Sequence, residues 1–283
     1  IIRKLFYFFV TSILFRNPRR LHKHNNQTKY TQPAMLASTV AFYDIWRKLG
    51  GEQADVMAGH SLGEYAALVC ASILDYEEAM SLVIKRGILM QEAVPEGIGS
   101  MAAIMGLNEE ALNAVCKEVN DKKSDLVVEC ANLNTEDQIV ISGYSKAVAV
   151  ACELALERGA KRALPLDVSV PSHCSLMKKA SSEFAKHINK DSFEIGPISV
   201  VQNVDAEVCK SSQTITDLLV KQLYSPVRWT DTINNLKKYG CKKIYERGPG
   251  KTLTGLNRRI DRKLEAVALN SLEALKQHSQ NKT

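Results

Sequence analysis

From Thr31 onward, apolar positions alternate between helical and strand-like spacing. Residues 34–49 repeat at about 3.6 and stop at Gly50-Gly51, as a glycine-terminated helix does. A short apolar run, Asp55 to Ala58, predicts a strand, and Leu62 to Ala71 a helix. Asp75, with Glu78 three residues on, has capping-box spacing and predicts a helix to about Ala93. The next seventy residues form a unit of their own. It has a strand (100–105), a helix capped by Asn108, strands at 126–131 and 138–142, a helix capped by Ser145 and ending at Gly159, and a strand at 161–166. That β-α-β-β-α-β order is the ferredoxin-like arrangement. The larger pattern then resumes with a helix (176–189), a strand (198–201), helices near 215–223 and 229–239, and a strand (243–246). Gly248-Pro249-Gly250 opens a last helix. The fold class is therefore α/β, with a parallel-sheet large subdomain (31–97 and 168–283) and an inserted small one (98–167).

Residues 1–30 break the pattern. Leu5 to Phe15 is apolar and aromatic, too short to span a bilayer, and no small-residue cleavage site follows it. This segment is expected to lie outside the fold, as a foreign piece or an interfacial anchor, without stable membrane insertion. It also explains the charge. The chain has 37 basic and 31 acidic residues, but residues 1–30 hold seven basic residues and no acid. The remainder carries 30 against 31, so no basic stripe is left to bind nucleic acid. Seven cysteines with no CxxC argue against a disulfide framework or a zinc site, and for a reducing cytoplasm.

The chemistry begins at Gly59-His60-Ser61-Leu62-Gly63, a G-x-S-x-G motif between a predicted strand and a predicted helix. Glycines allow the tight turn, Ser61 is exposed at the helix start, and the Leu62 N–H points to where an oxyanion would form. The nucleophile needs a base, and there are six histidines. His22 and His24 fall in the anomalous segment, His278 in a polar tail, His187 on a charged helix, and the elbow turns His60 away. His173, just after a strand end, is the candidate base. Either Asp167 or a backbone carbonyl would orient it. A thiol leaving group, with a pKa of about 8–9, needs little help to depart.

Arg86 sits at the centre of the apolar stripe made by Ala79, Leu82, Val83, Met90 and Ala93. It reads either as a structural ion pair or as a clamp for a substrate carboxylate. With a neutral substrate, the unpaired guanidinium would cost about 3–5 kcal/mol.

These residues resemble the malonyl-CoA:acyl carrier protein transacylase family. The resemblance is carried by residues 59–65, Thr31-Gln32-Pro33-Ala34, residues 86–97, Val170-Pro171-Ser172-His173, Gln222-Leu223-Tyr224-Ser225-Pro226-Val227 and Gly248-Pro249-Gly250-Lys251, in order over about residues 30–270. It implies an α/β-hydrolase-like large subdomain and malonyl transfer from malonyl-CoA to acyl carrier protein through malonyl-Ser61. It implies His173 as base, the Gln222 carbonyl as its orienter, Arg86 on the malonyl carboxylate, Leu62 as an oxyanion donor, and Gln32 near the substrate. It implies a cytoplasmic enzyme, expected as a monomer, with no metal or redox cofactor. The family's opening strand and GQGSQ loop, source of a second oxyanion N–H, have no match here. A thioesterase or esterase, or an impaired form lacking that loop, are the alternatives.

Overall fold

The computed structural model describes residues 27–122, 127–168 and 170–279. The α/β class and the two-part organisation are as expected. The large subdomain contributes α1 (Thr28–Lys48), β1 (Val56–Ala58), α2 (Gly63–Cys70) and α3 (Tyr76–Ala93) before the insert. After the insert come α6 (Lys178–Phe184), β6 (Ser199–Val201), α7 (Ser212–Gln222), α8 (Trp229–Lys238), β7 (Lys243–Arg247), α9 (Thr252–Ile260), β8 (Glu265–Leu269) and α10 (Leu272–Ser279). The insert holds β2 (Gly99–Met105), α4 (Glu109–Lys122), β3 (Val128–Thr135), β4 (Gln138–Tyr144), α5 (Ser145–Glu157) and β5 (Arg162–Pro165). Its antiparallel sheet has the order β3-β4-β2-β5, the ferredoxin-like order.

Among the described residues the parallel strands form two pairs, β1 with β6 and β7 with β8. One cavity of about 980 Å³ is lined by residues of both β1 and β7 and by the serine turn. The family's opening loop would fall before residue 27, outside the described residues, as does most of the anomalous segment. No helix among the described residues is long and apolar enough to cross a membrane.

Several boundaries differ from the sequence pattern, each for a local reason. Helix α1 begins at Thr28 rather than near Ala34, and carries Pro33 inside it. A proline there removes one backbone bond near the helix start, which helix packing offsets. Asn108 caps α4 through its Oδ1, which accepts the Ala111 N–H at 2.9 Å. Ser145 does not cap α5; its hydroxyl instead donates to the Gly97 carbonyl at 2.9 Å, tying the insert to the large subdomain. The 176–189 helix ends at Phe184. The helix after Gly250 is not the last element, because β8 and α10 follow it. His278, expected in a polar tail, lies in α10 with its ring 6.1 Å from that of Tyr245.

Helix α3 places the site. Its inner face buries Ala79, Met80, Leu82, Val83, Gly87 and Met90, with Arg86 among them. Asp75 caps it by accepting the Glu77 N–H at 2.7 Å. A Cβ at Gly87 would lie 2.8 Å from the Lys29 Cα, so only glycine lets α1 approach α3 this closely. That approach sets Gln32 against Arg86.

Candidate active site

The turn after β1 is tight because it must be. A Cβ at Gly59 would sit 1.9 Å from the Gly63 carbonyl oxygen, whereas one at Gly63 would meet nothing within 4 Å. The steric demand the motif implied for both glycines therefore rests on Gly59 alone. Ser61 takes φ +51°, a left-handed conformation that costs a non-glycine residue about 1–3 kcal/mol and clusters at functional sites. The strain aims Oγ into the cavity.

His173 also has a left-handed backbone, φ +62°, held by its N–H on the Leu223 carbonyl at 3.0 Å. Its Nε2 lies 2.8 Å from Ser61 Oγ, and its Nδ1 lies 2.8 Å from the Gln222 carbonyl oxygen. A carbonyl only accepts, so Nδ1 carries the proton and Nε2 is the acceptor for the serine hydroxyl. Burial, reinforced by the positive charge of Arg86, pulls His173 down to about 3, so the ring is neutral near pH 7 and able to take a proton. The carbonyl alternative thus fills the orienting position. Asp167, the other candidate, is exposed on the strand exit, and the partner that Nδ1 meets at 2.8 Å is the Gln222 carbonyl. The pair is a dyad.

Arg86 is 1% exposed. Its Nη1 donates to Gln32 Oε1 at 2.6 Å, and its Nη2 donates to Gln222 Oε1 at 2.9 Å and to Ser61 Oγ at 3.2 Å. Among the described residues its buried Nε–H has no acceptor. Burial lowers its pKa against the pull of Tyr65 and Glu64. Among the described residues Arg86 has no ion-pair partner of the kind weighed from the sequence, and its hydrogen-bond partners are neutral oxygens. A desolvated cation with an unsatisfied donor, 3.2 Å from Ser61 Oγ, has the chemistry to pair with an anionic group.

Among the described residues the Leu62 N–H has no acceptor, while the flanking N–H groups of Ser61, Gly63 and Glu64 are all bonded. It is the free donor beside Oγ, as an oxyanion site requires. The second donor that the resemblance implies falls outside the described residues. His60 behaves as the elbow geometry predicts. Its Nε2 meets Asn134 Oδ1 at 2.9 Å, its ring lies 5.6 Å from Trp229, and burial lowers its pKa.

So Ser61, His173, Arg86, Gln32, Gln222 and Leu62, spread over five parts of the chain, converge on one point. The sequence pattern missed three residues around them. Asn134 reaches the cavity from the insert's β3. Asn203 and Glu64 are buried behind the elbow. Glu64 carried a signal, three residues after Ser61 on an apolar helix, but one equally consistent with solvent exposure.

This constellation on this fold is that of a serine acyl transferase, and the sequence matches the acyl transferase domain family over residues 2–246. The chain belongs to that family. It is 47% identical over 250 residues to the malonyl CoA-acyl carrier protein transacylase of Escherichia coli K12, spanning 88% of this chain and 80% of that protein. The malonyl CoA-acyl carrier protein transacylase of Coxiella burnetii superposes with a TM-score of 0.90 at 45% identity, over 95% of this chain and 83% of that one. A malonyl-transacylase solved in complex with a type II PKS acyl-carrier protein superposes with a TM-score of 0.91 at 43% identity, over 96% and 86%.

Proposed function

We propose that this chain moves a malonyl group from CoA to the phosphopantetheine thiol of acyl carrier protein, by a ping-pong mechanism, in fatty-acid biosynthesis. Ser61 Oγ attacks the malonyl thioester carbonyl while His173 Nε2 takes its proton. The carbonyl oxygen becomes an oxyanion on the Leu62 N–H. The intermediate collapses, the carbon–sulfur bond breaks, and the CoA sulfur leaves with the proton from His173. Malonyl-Ser61 remains, its carboxylate on Arg86, with Gln32 and Gln222 holding the guanidinium. In the second half, His173 takes the proton of the carrier thiol, the sulfur attacks the ester, and Ser61 leaves with that proton.

The observation that carries this reading is the buried Arg86 guanidinium, 3.2 Å from Ser61 Oγ and, among the described residues, bonded only to neutral oxygens. It fits an acyl group ending in a carboxylate. Seven free thiols fit a cytoplasmic setting.

Intact mass after incubation with malonyl-CoA tests it. One malonyl adduct is expected, absent in Ser61→Ala, and transferred when holo acyl carrier protein is added. A folded sample that takes no adduct refutes the reading. Continuous CoA release without carrier protein would instead mean that water is the acceptor, as in a thioesterase.

A further inference from the structure

Two buried polar side chains stand behind the reacting groups and have no part in the transfer just described. Asn203, on the turn after β6, is 1% exposed, and so is Glu64 on α2. Asn203 grips the elbow on both sides of its strained residue. Its Oδ1 accepts the Ser61 N–H at 2.6 Å, and its Nδ2 donates to the Gly59 carbonyl at 2.6 Å. An amide offers a donor and an acceptor side by side, which is what a carbonyl and an N–H two residues later need.

Glu64 ties this clamp to the other half of the site. Its Oε2 accepts the backbone N–H of Asn203 at 3.0 Å and the Gln222 Nε2 at 2.8 Å. Gln222 Nε2 also reaches the Ser61 carbonyl, at 3.1 Å. With Nε2 pinned to two acceptors, Oε1 of Gln222 must face the other way, onto Arg86. One carboxyl oxygen therefore fixes the nucleophile's backbone through Asn203 and the clamp's orientation through Gln222. Burial pushes this carboxyl up to about 8 against the pull of its N–H donors and of Arg86. Strained residues persist only where their surroundings over-determine them, and here the surroundings are this network.

We propose that Asn203 and Glu64 are positioning residues for the acylation of Ser61. Asn203 holds the left-handed turn, and Glu64 locks Asn203 and the Gln222 amide together, so that Ser61 Oγ, His173 Nε2 and the Arg86 guanidinium stay in register. The proposal rests on Ser61 and Arg86 acting as set out above.

The test is the pre-steady-state release of CoA from malonyl-CoA and from acetyl-CoA, with Tm recorded for each variant. Asn203→Leu is expected to slow acylation about a hundredfold, the effect of a misplacement of about 1 Å, with the malonyl-to-acetyl preference kept because Arg86 is untouched. Glu64→Leu is expected to lose rate and preference together. Glu64→Gln keeps a carbonyl oxygen for both N–H donors and is expected to stay within about threefold of the parent in both. A role in folding alone would not separate rate from preference in this way. Asn203→Leu acylating within about threefold of the parent overturns the proposal, as does Glu64→Gln no better than Glu64→Leu. If Asn203→Leu does not fold, Asn203→Asp decides. It has the same shape but sets an oxygen against the Gly59 carbonyl, and parent-like acylation in it overturns the clamp. A parent chain that takes no malonyl on Ser61 refutes the site itself; a labelled parent matched by its variants refutes the positioning roles alone.

Discussion

Truncating Arg86 to alanine is the sharpest test of acyl selectivity. The guanidinium is buried, donates to two amide oxygens and one hydroxyl, and among the described residues leaves its Nε–H unsatisfied. A malonyl carboxylate bound as proposed would satisfy that donor and supply the missing negative charge. An acetyl group does neither. Removing one partner of a buried, hydrogen-bonded charge pair costs about 3–5 kcal/mol, chiefly because the other charge is left unpaired. At about 1.4 kcal/mol per tenfold, the malonyl preference should fall by roughly two to three and a half decades in Arg86→Ala. The alanine also strips the donors from Gln32 Oε1 and Gln222 Oε1, which lowers activity toward both substrates and stability in general. Those losses cancel when kcat/KM for malonyl-CoA and acetyl-CoA are measured on the same preparation and expressed as a ratio. The assay is transfer to holo acyl carrier protein at fixed pH, with the folded fraction checked by thermal melting. A folded Arg86→Ala protein with an unchanged ratio would show that the guanidinium is structural and that selectivity lies elsewhere.

Two further outcomes follow from the geometry. With His173 held near 3 by burial and by Arg86, kcat/KM should not lose activity on acidification through about pH 6.5, where an ordinary imidazole titrates. The sign follows because only the neutral ring accepts a proton, and lowering its pKa extends the neutral form to lower pH; an acid limb near 6.5 in the acylation rate would contradict the burial of His173. In the elbow, Gly59→Ala should abolish activity and lower Tm, since its Cβ would lie 1.9 Å from a backbone oxygen, while Gly63→Ala should leave Tm within about 2 °C of the parent because its Cβ meets nothing. Equal losses of Tm in the two variants would mean that the turn does not have this geometry.

The local features of this protein were legible in its sequence. Periodicity located most helices and strands, because each follows from which residues one face must bury. The β-α-β-β-α-β order identified the insert, since strand order and chain connectivity go together in that unit. The G-x-S-x-G motif and an arginine on an apolar stripe are one-dimensional patterns, and they marked Ser61 and Arg86. Elimination among the histidines reached His173. What the pattern could not carry was contact between distant segments. That Nδ1 of His173 meets the Gln222 carbonyl rather than Asp167 depends on a backbone atom, which no side-chain pattern displays. That Gln32 meets Arg86 depends on Gly87 letting α1 close onto α3, and the start of α1 at Thr28, ahead of the apolar periodicity that begins at Ala34, is what brings Gln32 into that helix. Asn203 and Glu64 are ordinary polar residues in the chain, and only their burial against the elbow gives them a role. Local spacing determined what each element is. Tertiary packing alone decided which polar groups face one another, because removing them from water is what forces each to find a particular partner.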